Sequence, residues 1–484
     1  MGVTLYTSRV VLGALGVSDY GIYNVVGGIV AMMAFLNSAM ATATQRYLSY
    51  DIGRNNPLQL QKTFSATLTV HYFIAFLIFV VGETIGLWYI NYKMNYPIER
   101  TFAVNVVFQF SLFTLFLDII QVPYNALILA RERMNVYAYV SILEAVLKLL
   151  VAYLLLWYGM DKLILYSILT FCLVFIIRNI YKFYCKRNFQ ESKFKFEYDR
   201  QYLVELVSFS GWNLFGTMSL VFKNQGINMV LNLFYGTFVN AAYGIAMQLQ
   251  GAVNQFVSNF QVALNPQIIQ TYAAGERKRM IELIFLGAKF SFFVMMLITI
   301  PVIYNARLLL LLWLNNVPDN TITFVQISLV AVLIDSISGP LMIGIQATGR
   351  IKYYQLLVGG LNILSLPLCY VLLYFGYPSN SVFIILVVFS VISLILRIIF
   401  LNKYVDVQIL ALLKNVIFPI LAVSAIILSF CYISIQFFEV KQILSMILWC
   451  FCYFVLLVMS ILFVGLNYAE RNKIKGLIMQ KISK

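Results

Sequence analysis

The 484-residue sequence is poor in charge, because only 11% of its residues are charged whereas 62% are hydrophobic. No soluble domain needs that much apolar surface. Apolar runs of about 20 residues, the length that crosses a bilayer as a helix, recur along the chain. A β-barrel is also excluded, since its strands would be about 10 residues of alternating polarity. The composition therefore predicts an all-α polytopic membrane protein.

Other absences exclude whole classes of function. There is no G-x-x-x-x-G-K-[ST] loop, so no ATPase of that kind is encoded. A single histidine, His71, and six scattered cysteines exclude an obvious metal site and a disulfide framework. No nucleophile, base and acid stand together, so we predict no catalytic residue, no enzyme and no cofactor other than a coupling proton or sodium ion.

The net charge of +15 reflects membrane topology rather than binding to nucleic acid. With the N-terminus in the cytoplasm, 25 of the 34 lysines and arginines fall in inner loops or at inner span ends, and four fall in outer loops. This asymmetry follows the positive-inside rule. It predicts a multi-pass membrane protein with both termini in the cytoplasm and no nucleic-acid partner.

Hydropathy predicts fourteen transmembrane helices. The first is short for a bilayer, and we expect the true first span to begin upstream of Met1. The predicted spans lie near 3–15, 21–43, 64–90, 102–129, 136–158, 163–184, 208–235, 239–263, 283–313, 321–347, 354–376, 381–401, 411–437 and 442–466.

An unusual pattern occurs twice, 217 residues apart, inside predicted spans. A carboxylate in hydrocarbon costs roughly 2.5–3.5 kcal/mol on insertion scales, so its repetition in register indicates duplication. Halves of six spans each would run parallel, as in many secondary transporters. The two copies are Asp118–Pro123 with Ala130, Arg133 and Tyr137, and Asp335–Pro340 with Ala347, Arg350 and Tyr354.

The repeat predicts the domain organisation. Two six-span bundles are joined by a hydrophilic cytoplasmic linker and followed by two further spans and a basic tail. The predicted segments are 1–185 (N-terminal bundle), 186–201 (linker), 202–403 (C-terminal bundle), 404–466 (two extra spans) and 467–484 (tail).

Polar residues within the spans are the candidate substrate site. Arg9 and Lys223 lie in the corresponding spans 1 and 7, where they either present positive charge to an anion in a cleft or pair with acids to hold helices together. Amides on spans 7 and 8 either line a wet cavity for sugar hydroxyls or join helices. The candidate amides are Asn228, Gln250, Asn254 and Gln261.

Asp118 and Asp335 each precede a proline by more than one turn. They either cap polar groups freed at the bend or bind a coupling proton or cation. Arg133 and Arg350, at the inner ends of spans 4 and 10, are either topology anchors or an inner gate.

The remaining buried charges have simpler interpretations. Glu144 and Lys148 are an i, i+4 pair that can neutralise itself. Lys289, two turns from the inner surface, is expected to extend to the interface.

The opening of the chain carries a family resemblance. Leu5–Gly16 (LYTSRVVLGALG) and Asp19–Tyr23 (DYGIY) resemble the start of polysaccharide or O-antigen repeat-unit flippases of the multidrug/oligosaccharidyl-lipid/polysaccharide (MOP) exporter superfamily, and Ala347–Arg350 (ATGR) fits the same pattern. The resemblance implies a MATE-like, V-shaped pair of bundles with alternating access. It also implies that Arg9, and with it Lys223, meets a pyrophosphate.

The resemblance implies a flippase that moves polyprenyl-pyrophosphate-linked oligosaccharide, the repeat unit of O-antigen, capsule or exopolysaccharide, from the inner to the outer leaflet. Its expected partners are that substrate, membrane lipids, and a polysaccharide polymerase and assembly proteins. The first alternative is a MATE-type multidrug/cation antiporter. A membrane polysaccharide polymerase or ligase is the remaining alternative, which the short outer loops disfavour.

Overall fold

The computed structural model describes residues 35–472 except 93, 95, 158–160, 196–199, 315, 316, 438–442, 468 and 469; before residue 35 it describes 6, 7, 10, 11, 13–16, 19, 20, 22, 23, 26, 27 and 30. All regular structure in these residues is helical, and the all-α fold predicted from composition is confirmed. Ten of the described helices are long and apolar enough to cross a membrane. The chain is therefore a multi-pass membrane protein.

The described helices of the first half are α1 (Phe35–Gly53), α2 (Pro57–Val81), α3 (Leu87–Tyr92), α4 (Thr101–Ala130), α5 (Met134–Trp157) and α6 (Lys162–Asn188). A π-helical turn at Gly82–Gly86 joins α2 to α3, and short 3-10 turns lie at Ile98–Arg100 and Gln190–Ser192.

The later helices are α7 (Arg200–Ala273), α8 (Arg277–Tyr304), α9 (Ala306–Trp313), α10 (Thr321–Ala347), α11 (Lys352–Tyr374), α12 (Asn380–Val405), α13 (Ile409–Leu412), α14 (Phe418–Phe437) and α15 (Ile443–Ser460). π-Helical turns follow α13 at Leu413–Ile417 and α15 at Ile461–Gly465.

One predicted boundary between spans agrees with the structure, and one predicted span is divided in two. Gly236, with φ +72° and ψ −166°, breaks α7 between predicted spans 7 and 8; glycine tolerates a positive φ because it has no Cβ. Predicted span 9 is divided at Asn305 into α8 and α9, just after Pro301, which removes a backbone donor from the last turn of α8.

The chain divides into two compact units, Met1–Thr217 and Met218–Lys484. In unit 1, α4 packs against α1, α2 and α6, and in unit 2, α10 packs against α8 and α12. These two central helices are the ones that carry the repeated Asp and Pro. The duplicated motif thus occupies the best-packed helix of each unit, while the domain boundaries drawn from the sequence remain predictions.

The two C-terminal spans pack against α8. Tyr453 donates a hydrogen bond from its hydroxyl to the carbonyl of Met296 at 2.7 Å, and Trp449 stacks on Tyr304 with ring centroids 4.0 Å apart. One contact holds the hydroxyl of Tyr453 and the other holds the indole ring of Trp449, both on α15, against α8. They attach the extra spans to one helix of unit 2.

The expectation that Lys289 extends to the interface is wrong. Its side chain is only 2% exposed, and its Nζ donates to both carboxylate oxygens of Glu470, at 2.8 and 2.6 Å. Glu470 and Asn467 cap one another reciprocally through side chain and backbone at 2.9 Å. The chain after the last span therefore places a carboxylate against α8, which sequence depth alone did not reveal.

Candidate transport sites in the two units

The repeated prolines free one backbone carbonyl in each central helix. Pro340 has no N–H for the carbonyl of Ser336, four residues earlier. In the structure the side-chain amide of Gln261, on α7, donates to that carbonyl at 3.1 Å and to the hydroxyl of Ser291 at 3.1 Å. A Cβ at Gly339 would lie 2.4 Å from Oε1 of Gln261, so Gly339 leaves room for this amide.

Gln261 therefore has a packing role that its prediction as a cavity residue did not include. Its amide nitrogen is occupied by two acceptors, which joins α7 to α8 and α10. Gln261 also caps the carbonyl that the proline leaves free, which is one of the two roles that the sequence predicted for Asp335. Asp335 is consequently available for another role.

Asp335 lies among polar groups from several helices of unit 2. Ser390, on α12, donates from its hydroxyl to Oδ2 of Asp335 at 3.1 Å. Lys223 and Arg397 are near enough to interact electrostatically with the same carboxylate. The side chain of Asp335 is nevertheless exposed. Asp335 is therefore an accessible carboxylate beside polar groups of other helices of unit 2.

Arg397 is one of the two cations near Asp335. Its Nε donates to the hydroxyl of Tyr354, on α11, at 3.2 Å. Its Nη1 is buried and has no hydrogen-bond partner among the described residues. A buried guanidinium donor left without an acceptor costs free energy unless a ligand or water satisfies it. Arg397 is therefore held in place by one contact, and one of its buried donors is left unsatisfied.

Lys223, on α7, completes the charged set. It is partly buried and interacts electrostatically with Asp335 and Arg397. No ion pair within 4.0 Å joins these three groups in the described part of the chain. Two cations face one carboxylate, which leaves an excess of one positive charge. We call Lys223, Asp335, Tyr354, Ser390 and Arg397 the cationic site of unit 2.

Asp118 occupies the corresponding position in unit 1, but its surroundings differ. It lines a cavity of about 220 Å³ together with the hydroxyl residues Ser111, Thr114, Ser167 and Thr170. Tyr23 lines the same cavity. Among the described residues no hydrogen bond or ion pair reaches the carboxylate of Asp118, and its side chain is exposed. Asp118 is therefore a free acid in a cavity that also contains hydroxyl groups.

The hydroxyl groups of this cavity act as acceptors. Thr114, Ser167 and Thr170 donate their hydroxyl hydrogens to carbonyls of their own helices, at 2.7 to 2.8 Å. Their oxygen lone pairs are then left to face the cavity. A carboxylate among hydroxyl oxygens is a ligand set for a hard cation or a proton. We call these residues, with Asp118, the acidic site of unit 1.

Glu144 and Lys148, on α5, form the predicted pair, with Nζ and Oε1 2.7 Å apart. Both side chains are more than one-third exposed, so the pair contributes little to stability. Each also interacts electrostatically with Asp118, and their opposite charges largely cancel there. No group of three or more His, Cys, Asp or Glu that could hold a metal occurs in the described ranges.

The other predicted site residues lie in varied surroundings. Asn228 and Gln250 are partly buried, and Asn254 is exposed. Arg133 and Arg350 are exposed beyond the ends of α4 and α10, and Arg133 lines a polar cavity there. Arg9 lies outside the described residues, as do Leu5, Ser8, Leu12 and Gly21 of the N-terminal motif. The roles assigned to these residues remain predictions.

Sequence reasoning missed Arg397 and Ser390, because it counted Arg397 among the inner-end cations. A signal was present: Arg178, in α6, precedes Arg397 by 219 residues, close to the spacing of the main repeat. Both arginines lie in the sixth span of their half. The equivalent positions suggest that each repeat carries this arginine, and that it does more than set the membrane topology.

The comparisons with known proteins agree with this fold. Residues 3–154 match the MatE family model. No curated protein sequence is similar enough to count as a match. Several solved structures are similar along most of the chain, and they show that the chain has a MATE-like fold.

Three of these structures illustrate the similarity. An outward-facing multidrug resistance MATE transporter of the MOP superfamily is 13% identical, with a TM-score of 0.70 over 85% of this chain and 92% of its own. A MATE transporter from Vibrio cholerae is 16% identical, with a TM-score of 0.68 over 84% and 93%.

The third is a MOP superfamily transporter from Pyrococcus furiosus, described as having a binding pocket of reverse polarity that suggests a different function. It is 12% identical, with a TM-score of 0.67 over 85% of this chain and 93% of its own. The structural neighbours are transporters rather than enzymes.

Proposed function

We propose that the chain is a MATE-type secondary transporter that couples cation binding in unit 1 to substrate export through unit 2. The family match and the structural neighbours support this class directly. The acidic site, with a free carboxylate and acceptor oxygens, supports binding of a proton or sodium ion. These observations favour antiport, the first alternative from the sequence, over a transporter without coupling.

The cationic site carries the choice of substrate class. Two cations, one of them with a buried unsatisfied donor, face a single carboxylate. Such a surface disfavours a cationic drug and favours a phosphate or pyrophosphate group, which binds guanidinium and ammonium donors strongly. The Pyrococcus furiosus neighbour provides a precedent for a pocket of altered polarity on this fold.

Within the anionic class, the substrate we propose is a polyprenyl-pyrophosphate-linked oligosaccharide. The N-terminal motif resembles flippases for such lipids, and accessible amides such as Asn254 would suit sugar hydroxyls. On this proposal the protein lies in a bacterial inner membrane with cytoplasmic termini. A polysaccharide polymerase and assembly proteins would then act on the exported substrate.

The test is the leaflet that holds the lipid-linked sugars in a deletion strain. We expect single repeat units to accumulate facing the cytoplasm, and the wild-type gene to restore export. Lys223→Ala should fail to restore it, and Lys223→Arg should restore it. Arg279→Gln, which removes an exposed cation already paired with Glu276, is the control and should restore export.

Each contrary result has a defined meaning. Unchanged lipid-linked sugars together with new sensitivity to cationic drugs would favour the multidrug antiporter. Repeat units that reach the outer leaflet unpolymerised would favour a polymerase. Full export by Lys223→Ala, at normal protein levels, would remove the cationic site from the mechanism.

A further inference from the structure

Unit 1 has a polar cavity at the end of its spans that the charge pattern predicts to be cytoplasmic. The cavity has a volume of about 680 Å³ and lies between the start of α2, the loop after α4 and the turn after α6. It is separate from the acidic site, which lies deeper in the unit. Neither the transport mechanism nor the repeat explains it.

This cavity carries an excess of positive charge. Arg131 donates from Nε to Oε1 of Glu191 at 2.8 Å, which neutralises both groups. Arg133 and Lys193 line the same cavity, are exposed, and have no carboxylate partner among the described residues. Three cations and one carboxylate leave two positive charges for a ligand.

The walls of the cavity are held in place by contacts between elements. Gln61, on α2, donates from its side chain to the carbonyl of Lys193 at 3.0 Å. The backbone N–H of Lys195 donates to the hydroxyl of Ser65 at 3.1 Å. The segment after α6 is thus attached to α2, which fixes the backbone that carries Lys193.

An apolar groove begins where the polar cavity ends. It has a volume of about 880 Å³ and runs along α6 from Phe175 to Arg187 and Asn188. Asn188 lines both spaces. The fourteen residues from Phe175 to Asn188 extend about 20 Å as a helix, comparable with the thickness of one leaflet of hydrocarbon, about 15 Å. Phe175, Ile176 and Phe183 in this groove are exposed on a membrane-spanning helix.

We propose that an anionic phospholipid of the cytoplasmic leaflet binds here, with its phosphate near Arg133 and Lys193 and one acyl chain in the groove along α6. Basic pockets at the cytoplasmic ends of transmembrane helices are suited to anionic head groups. The joined polar and apolar spaces, at leaflet depth, match an amphiphile better than a soluble phosphate compound. The lipid would stabilise unit 1 at the loop that follows α4.

Native mass spectrometry of the full-length protein in detergent tests this proposal with phosphatidylglycerol and phosphatidylcholine of equal chain length. We expect phosphatidylglycerol to bind more tightly. Arg133→Gln/Lys193→Gln should weaken it about 25-fold, since each basic residue near an anionic lipid contributes about fivefold. Arg277→Gln/Lys278→Gln removes two exposed cations at the same predicted membrane side in unit 2 and should leave binding unchanged.

Two further measurements distinguish a phospholipid from a soluble phosphate compound as the ligand. Ile176→Trp, which narrows the groove, should weaken the binding of phosphatidylglycerol but not the binding of glycerol phosphate. Glycerol phosphate should compete poorly with the whole lipid. The proposal is overturned if Arg133→Gln/Lys193→Gln binds like the wild type, if phosphatidylcholine binds equally, or if glycerol phosphate competes as well as the lipid, which would indicate a soluble phosphate ligand.

Discussion

The two units carry the same aspartate on the same central helix, yet the two carboxylates have different neighbours. Asp118 shares its cavity with hydroxyl groups, three of which donate their hydrogens to backbone carbonyls. Asp335 faces Ser390 and the charges of Lys223 and Arg397. A carboxylate among acceptors attracts a cation, whereas a carboxylate outnumbered by cations leaves room for an anion.

Under the proposed function, the two units would perform different tasks in transport. The motif itself, Asp-x-Ile-x-x-Pro, places an acid on a proline-containing helix in both units. The neighbouring helices then decide what that acid does. Four experiments test these assignments, in order of decreasing expected effect.

The largest effect is expected from Asp118→Asn. The variant keeps the size of the side chain but removes the only charge on the acidic site, so cation-driven transport in proteoliposomes should fall roughly 100-fold. Asp335→Asn should reduce it far less, because the cationic site keeps both cations. Equal losses in the two variants would mean that the units do not divide the tasks.

The next effect concerns the two repeat-related arginines. Arg397→Gln should weaken binding of an anionic substrate about tenfold, because it removes one charge-assisted donor. Arg178→Gln, the related change in unit 1, should leave that affinity unchanged. Substrate binding to the purified protein, measured by fluorescence or calorimetry at fixed salt, provides the readout. A similar loss from Arg178→Gln would place substrate in both units.

A third effect concerns stability in unit 2. Gln261→Ala leaves the carbonyl of Ser336 without a donor, which should lower the free energy of unfolding by about 2 kcal/mol. Gln255→Ala, on the same helix but with an exposed amide pair to Asn259, should change it little. Thermal unfolding of the detergent-solubilised protein compares the two. A larger loss from Gln255→Ala would contradict the packing role of Gln261.

The smallest effect is a pH dependence at the predicted cytoplasmic end of unit 1. Burial raises the pKa of Asp51 to about 6, opposed by a hydrogen bond from Thr63 and by the charges of Arg46 and Arg54. The raised pKa favours the protonated form in the folded state. Its stabilising contribution is therefore present below about pH 4 and is lost as pH rises through about 6.

Asp51→Asn should abolish this dependence, which is on the order of 1 kcal/mol. The difference in melting temperature between Asp51→Asn and wild type should therefore change between pH 4 and pH 7, with the variant gaining relative stability as the pH rises. A difference in melting temperature that stays constant from pH 4 to pH 7 would show that Asp51 ionises with the same pKa in the folded and unfolded states.

Sequence alone determined the class of the molecule and much of its plan. Apolar runs of bilayer length predict helices whatever they pack against, because unsatisfied backbone groups are too costly in lipid. The repeated Asp and Pro identified the central helix of each unit, since their spacing is a local property. The i, i+4 pair of Glu144 and Lys148 was readable for the same reason.

Only the tertiary structure decided which polar groups meet. The sequence predicted Arg397 to be a topology anchor, but the structure places it near Asp335. The sequence predicted Gln261 to line a cavity, but its amide donates to the carbonyl that Pro340 leaves without a partner. Lys289 found its partner 181 residues away, in Glu470. A sequence records the polarity of each residue, but the direction in which a side chain points within a bundle depends on how helices rotate and pack, and that is set by contacts distant along the chain.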